Sequence, residues 1–247
     1  MPAKAQRNVR EEAAAAGATT LISFVYENLR RDIISGKYRP EEKLRIEYIR
    51  AGYAVAASTV REALARLVAE GLVTTEGQRG FRVAPMSVDD LRDITRLRVI
   101  LETEAMVESI RQGDVGWEGK VVAAFHTLSR AEERLVADDT RAMFHWEECN
   151  KEFHQAIIAA CSSSRLRWLV EILYRQHERY RFHALNTSTA GVSRPGRSRD
   201  VHAEHEEIMR AVIGRDVAAA RRHLEDHIQN TARTVEQSLA TQSPARD

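Results

Sequence analysis

"STVREALARLVAEGLVTTEGQRGFRVAP", residues 58–85, is the stretch whose reading decides the fold. In its first half Val60, Leu64, Leu67 and Val68 recur at helical spacing, Ser58 or a neighbour can cap, and Gly71 ends the run. The second half changes period. "LVTTE" (72–76) and "GFRVAP" (80–85) read as two short strands, joined by a turn with a glycine at each end, which is a hairpin signal. Upstream, "RIEYIRAGY" (45–53) is a short helix and "YRPEEKL" (38–44) a turn-rich connection. "TLISFVYENLRRDIISG" (20–36) places Leu21, Phe24, Val25, Leu29, Ile33 and Ile34 on one helical face, and Gly36 stops it. Helix, helix, turn, helix, then a two-stranded hairpin is the order of a winged helix-turn-helix.

Downstream of Val88 no strand signal appears. "SVDDLRDITRLRVILETEAMVESIRQG" (87–113) has Ser87 as a cap and Asp89–Asp90 in the positive first turn. Further helical patterns cover about 117–137, 139–160, 163–185, 198–213 and 215–240, with breaks at "GDVG", "ADDT", "CSSS", "NTSTAGVSRPGRSRD" and "GRD". The expected fold is mainly α: a flexible tail over 1–18, a winged helix-turn-helix over 19–86, an all-helical bundle of about six helices over 87–240, and a tail over 241–247.

The bulk composition agrees with a globular chain. The 247 residues are 43% hydrophobic, and no stretch approaches the roughly 18 consecutive apolar residues of a membrane helix. The N-terminus "MPAKAQRNVREEAAAAGATT" lacks an apolar signal-peptide core. Cys149 and Cys161 would stand about 18 Å apart on a continuous helix, too far to bridge. A reduced, cytoplasmic protein is expected. The net charge of +1 is uneven: residues 1–86 hold 14 Lys/Arg against 10 Asp/Glu (+4), and the rest hold 23 against 26 (−3). A basic N-terminal part is compatible with nucleic-acid binding there.

In a helix-turn-helix the second helix of the motif enters the major groove by its N-terminal residues. Here these are Ala56, Ala57, Ser58, Thr59 and Arg61. Ser58 and Thr59 can bond phosphates or bases, and Arg61 can fork onto guanine or clamp phosphate. Arg45, and Gln78, Arg79 and Gly80 at the wing tip, complete the expected DNA-binding set. The plainer reading of each arginine alone is a solvated surface residue.

"VYENLRRDIISGKYRPEEKL" (25–44), "VREALARLVAEGLV" (60–73) followed by "RGFRV" (79–83), and "RLRVILETEA" (96–105) resemble the GntR family of bacterial transcription regulators. Within it they resemble the FadR-type branch, whose helical effector domain is called FCD. The resemblance runs from about Thr20 to about Glu236. It implies a homodimer on a double-stranded DNA operator and a small anionic effector such as a carboxylic acid. One departure is visible. The family shows a Val-Ser-Arg-Thr-Pro-like run where this chain has "VAASTVRE" (55–62), so Ala57 stands at the family's base-reading arginine. Losing one bidentate arginine removes about 1–3 kcal/mol of base discrimination.

The resemblance also selects among the nine histidines. FCD domains carry Asp/Asn-x-x-x-His on one helix and single histidines on two later ones, which matches Asn150 and His154 in "NKEFH", His205 in "HAEHEEIM" and His227 in "HLEDHI". These four residues would hold a divalent transition metal, zinc first with nickel or manganese as alternatives. The three histidines would also face the effector. Asparagine in place of aspartate leaves the site one unit more positive, weakening metal retention and favouring an anion. Arg98 resembles the arginine that family members point into the cavity, where it would fork onto an effector carboxylate. Its alternative is a surface i,i+4 pair with Glu102. His202 and His223 are fallback ligands, while His126, His145, His177 and His183 show no metal-like spacing.

Two other classes compete. A helical-bundle metalloenzyme would need motifs that are missing: no glutamate has a histidine three residues on, and there is no His-Glu-x-x-His run, phosphate loop or nucleophile elbow. A protein-interaction module would use the winged helix without DNA, against the basic N-terminal third. No catalytic residues are expected.

Overall fold

A computed structural model describes residues 20–77, 80–135, 139–187 and 199–240. The tails expected at 1–18 and 241–247 lie outside the described residues. The chain divides into two compact units between Met86 and Ser87.

The first unit contains α1 (Leu21–Ile34), β1 (Lys43–Leu44), α2 (Ile46–Gly52), α3 (Ala57–Ala69), β2 (Val73–Thr75) and β3 (Phe81–Val83). Thr20 caps α1 by accepting from the Ser23 amide at 3.1 Å, and Phe24, Val25, Leu29 and Ile33 form its buried stripe. This stripe meets Ile49 of α2 and Val60, Leu64 and Leu67 of α3 in one core with Leu44, Leu72, Val73 and Val83. Gly71 reverses the chain after α3 at φ +74°, a conformation that costs other residues energy.

The sheet has three strands in the order β1-β3-β2, one more than the hairpin the sequence predicts. β3 pairs antiparallel with both neighbours, Leu44 opposite Phe81 and Thr75 opposite Phe81. β1 lies in the stretch expected as a connection. Two residues are too short to show an alternating pattern, so only pairing reveals them. Leu64 is fully buried; its replacement by alanine is expected to cost about 2–5 kcal/mol, read as a lower urea midpoint of this unit. A loss under about 1 kcal/mol would show that the α1–α3 face is not close-packed.

The second unit is helical throughout its described residues: α4 (Val88–Gln112), α5 (Val115–Glu133), α6 (Thr140–Ile157), α7 (Ser164–Thr187), α8 (Val201–Ile213) and α9 (Val217–Ala240). The overall class is mainly α, as expected. Short polar residues start these helices, because their side chains accept amide protons that lack helical partners. Ser87 accepts from Asp90, Asp114 from Trp117, Asp139 from Arg141 and Ala142, and Asp200 from Ala203. α4 packs on α7 and α9, α5 on α6 and α8, and α9 on α7 and α8. The core runs through Met106, Ile110, Val121, Leu128, Phe153, Ile157, Ile208, Val212 and Leu224. Cys149 and Cys161 are both free and buried. α6 ends at Ile157, so the second cysteine sits in a turn and not on a continuing helix. Among the described residues no helix is long and apolar enough to cross a membrane.

Candidate metal centre and nucleic-acid interface

Val60, Ala63, Leu64 and Leu67 hold one face of α3 in the core, so its other face is left to solvent. Ser58 and Arg61 are exposed there and Thr59 is half-buried. Arg61 pairs with no acidic group among the described residues, whereas Arg66 is drawn to Glu62 at 3.1 Å. The helix starts at Ala57 with Ala56 as its cap residue and no side-chain cap bond. Ser58 is therefore the second helical residue and not the cap, and the first amides of α3 point outward unpaired by any side chain. Such an end attracts phosphate. Arg45, also exposed, precedes α2 in the cap position. Gly80 opens β3 at φ +111°; the wing residues Gln78 and Arg79 lie outside the described residues. Arg82 on β3 pairs with Glu76 at the surface and donates to the Glu41 carbonyl at 2.9 Å.

The second unit gathers three histidines from three helices. His154 of α6, His205 of α8 and His227 of α9 each offer a nitrogen, all within 4.8 Å of one another. Ring centroids lie 4.6 Å apart for His205 and His227, 5.3 Å for His154 and His227, and 6.0 Å for His154 and His205. All three are buried, His205 completely. The reason is local: each lies on the apolar stripe of its helix, beside Phe153 and Ile157, Ile208 and Val212, or Leu224 and Ile228.

A carboxylate stands at Nδ1 of every one of the three rings. Glu204 Oε2 is 2.8 Å from His227, Glu132 Oε1 is 3.0 Å from His205, and Glu102 Oε2 is 3.4 Å from His154. At His205 and His227 this arrangement keeps the proton on Nδ1 and turns Nε2 into the free donor atom, as in metal sites where a second carboxylate orients the imidazole, whereas His154 Nδ1 makes no hydrogen bond. His205 Nε2 is buried without a hydrogen-bond partner, an orphan that a metal ion would satisfy. Burial also holds His154 down to about 4, against the pull of Glu102, and pushes His227 well below the ordinary histidine value. Neutral imidazoles are the form that ligates a metal. The residues present fit a borderline cation such as zinc.

Asn150 lies one turn before His154. Its amide nitrogen donates to the Tyr174 hydroxyl at 2.7 Å, and its Oδ1 is buried with no partner. Arg98 forms the i,i+4 pair with Glu102, Nε to Oε1 at 2.6 Å, but inside the bundle and not on its surface, both side chains being 2% exposed. Burial alone would raise the Glu102 carboxyl; Arg98 and His154 outweigh it and hold it at about 2. The fallback ligands stay apart from the cluster: His202 bonds Glu132 Oε2 at 2.7 Å with its ring half exposed, and His223 lies 3.2 Å from Glu207.

Sequence reasoning missed a second polar layer. Arg181 of α7 reaches Glu147 of α6, with Nε 3.1 Å from Oε2 and Nη2 on Oε1. Its guanidinium stands over the Tyr174 ring at 4.3 Å, and that of Arg98 over the same ring at 5.1 Å. The Arg181–Glu147 partnership joins residues 34 apart in sequence, which no spacing rule exposes. The three second-layer glutamates were equally hidden, Glu132 lying 73 residues before His205. Between α6 and α7 a pocket of about 380 Å³ opens beside His154 and Tyr174, lined also by Gln155, Arg167 and Trp168.

Known proteins share this plan. Residues 21–83 match the profile described as "Bacterial regulatory proteins, gntR family", and residues 93–230 match that of the FCD domain. The chain is 40% identical over 222 residues to the HTH-type transcriptional regulator BphR of Paraburkholderia xenovorans, covering 90% of this chain and 88% of that one. It is 36% identical to the HTH-type transcriptional repressor GlaR of Escherichia coli, covering 87% and 96%. Among solved structures, E. coli McbR/YncC superposes with a TM-score of 0.70 at 19% identity, over 90% of this chain and 99% of the other. That likeness is one of fold.

Proposed function

Because the chain belongs to the GntR family and carries an FCD domain behind its winged helix, it is a DNA-binding transcription regulator and not an enzyme, and we propose that it senses a small carboxylic acid in a metal-containing pocket of the helical bundle. The observation that carries this reading is the convergence of three buried histidines, each backed by a glutamate at Nδ1. His154, His205 and His227 would hold the ion, and the unpartnered Oδ1 of Asn150 is the fourth donor the chain offers. When bound, the metal supplies Lewis acidity and a positive charge toward an effector oxygen. Arg98 adds a guanidinium beside it, already oriented by Glu102 and so able to meet a carboxylate with little rearrangement. An effector that binds one arrangement of the regulator better than another shifts DNA affinity by that difference.

On the DNA side, α3 would enter the major groove with Ser58, Thr59 and Arg61, while Arg45, Gln78, Arg79 and Gly80 meet the backbone or the minor groove. Alanine at position 57 removes one base-reading contact from the family pattern, so the operator would differ from those of relatives with arginine there. The relative GlaR is named a repressor, and repression is the reading adopted for this chain. A homodimer on a pseudo-palindromic site follows from two-fold matching of protein and operator. Leu97 and Ile100, 46% and 52% exposed on α4, are apolar enough to be covered by a second copy.

The test is selection of binding sites from random-sequence DNA, then gel shifts across a salt series. A steep fall of affinity with salt is expected, and no retardation at low salt would sink the regulator reading for this head. Arg61→Ala should cost about 1–3 kcal/mol on the selected site and relax the sequence requirement there. An equal loss on every sequence would make Arg61 a phosphate contact only.

A further inference from the structure

His177 of α7 is fully buried, and its Nδ1 lies 2.8 Å from Nη1 of Arg181. A guanidinium has no acceptor atom, so Arg181 donates and Nδ1 must carry the lone pair. The ring is therefore neutral with its proton on Nε2. Nothing leaves Arg181 free to turn away, because Nε and Nη2 are taken by Glu147 and the cation rests over Tyr174. Yet the Nε2–H so enforced has no partner among the protein atoms. A buried donor left bare is costly, and native structures pair nearly all of them. Four residues from three neighbouring helices and its own act on this ring: Arg98, Arg181, His227 and His154. It stands next to the histidine cluster through Arg181, whose guanidinium lies over the Tyr174 ring, itself 5.8 Å from the ring of His154.

The charge beside the cluster selects the acceptor. The guanidiniums of Arg98 and Arg181 stand over the Tyr174 ring beside the cluster. A divalent cation held by the histidines would add two positive charges next to them, which favours an anionic acceptor.

We propose that His177 is a specificity-determining residue of the effector pocket, its Nε2–H donating to a carboxylate oxygen of the bound effector in a tautomer fixed by Arg181 and Glu147. The inference rests on the effector reading above and deepens it. An effector offering only apolar surface or hydrogen-bond donors at this point leaves the proton unsatisfied and is rejected.

Acetate is the probe, titrated calorimetrically into the full-length, zinc-loaded protein. His177→Leu removes the donor, whereas His177→Gln keeps an oxygen for Arg181 and an N–H for the ligand. His177→Leu is expected to weaken acetate binding tenfold or more with zinc affinity unchanged, and His177→Gln to stay within about threefold of wild type. Equal acetate affinity in wild type and His177→Leu overturns the role of His177 and leaves the effector reading standing. A zinc-loaded wild type that binds no acetate overturns both. Should His177→Leu fail to fold, the imidazole resonances of nitrogen-15 histidine-labelled wild type decide. An Nε2–H tautomer whose signal moves with acetate supports the assignment, and one that stays fixed as other site histidines move refutes it.

Discussion

Replacement of His205 by alanine is expected to reduce bound zinc from about one ion per chain to near none, measured by mass spectrometry of the metal after zinc loading and buffer exchange. His205 has no solvent exposure and its Nε2 has no protein partner, so alanine deletes a nitrogen that no neighbour replaces. The remaining pair, His154 and His227, leaves too few strong donors for a retained ion. Losing even a second-layer partner costs about 10- to 100-fold in metal affinity, and a lost ligand costs more. Thermal unfolding supplies an independent readout. At free zinc about 100 times the dissociation constant, a native-only site adds about 2.7 kcal/mol, so zinc should raise the wild-type midpoint and leave His205→Ala unmoved. His202→Ala is the matched control, since its exposed ring also bonds Glu132 but lies outside the cluster. Unchanged zinc content in His205→Ala would refute the assignment.

The parts of this molecule readable from sequence are those governed by local rules. Periodicity located the helices, because Val60, Leu64 and Leu67 or Phe24, Val25 and Leu29 must share a face to reach a core. Breaks such as "GDVG" and "ADDT" read correctly as boundaries, since each holds the aspartate that caps the next helix. The cap of α3 is less legible: Ser58 or a neighbour is expected, and the cap residue is Ala56, two residues before Ser58, with no side-chain cap bond. The histidine trio came from resemblance and not from spacing, as His154, His205 and His227 have no local relation. What surrounds them was beyond any such reading. Glu132 and Arg181 reach their partners only after α5, α6, α7 and α8 have packed. The Arg98–Glu102 pair was visible as an i,i+4 spacing, yet spacing cannot distinguish a surface pair from one inside a bundle.

Arg181→Met is expected to be the most destabilising single change in the second unit, at about 3–5 kcal/mol. Glu147 and Arg181 are 3% and 6% exposed, so neither charge can turn to water when its partner is lost. Burial opposes the charge on Arg181, but Glu147 outweighs it and raises the guanidinium further above its ordinary value. Methionine preserves most of the stem's packing over Tyr174 and removes the charge, so the loss reports the stranded Glu147 carboxylate and not a cavity. A second group suffers as well, because Nδ1 of His177 loses the donor it has in Arg181. The double variant Arg181→Met with Glu147→Leu removes both charges together. It should recover most of the lost stability, since an apolar pair in place of a buried ion pair is often neutral or better. Urea unfolding of the four proteins in this cycle gives the coupling directly. Additive losses in the double variant would mean the two residues act separately. Recovery of stability with weakened acetate binding would show that the pair serves the ligand chamber more than the fold.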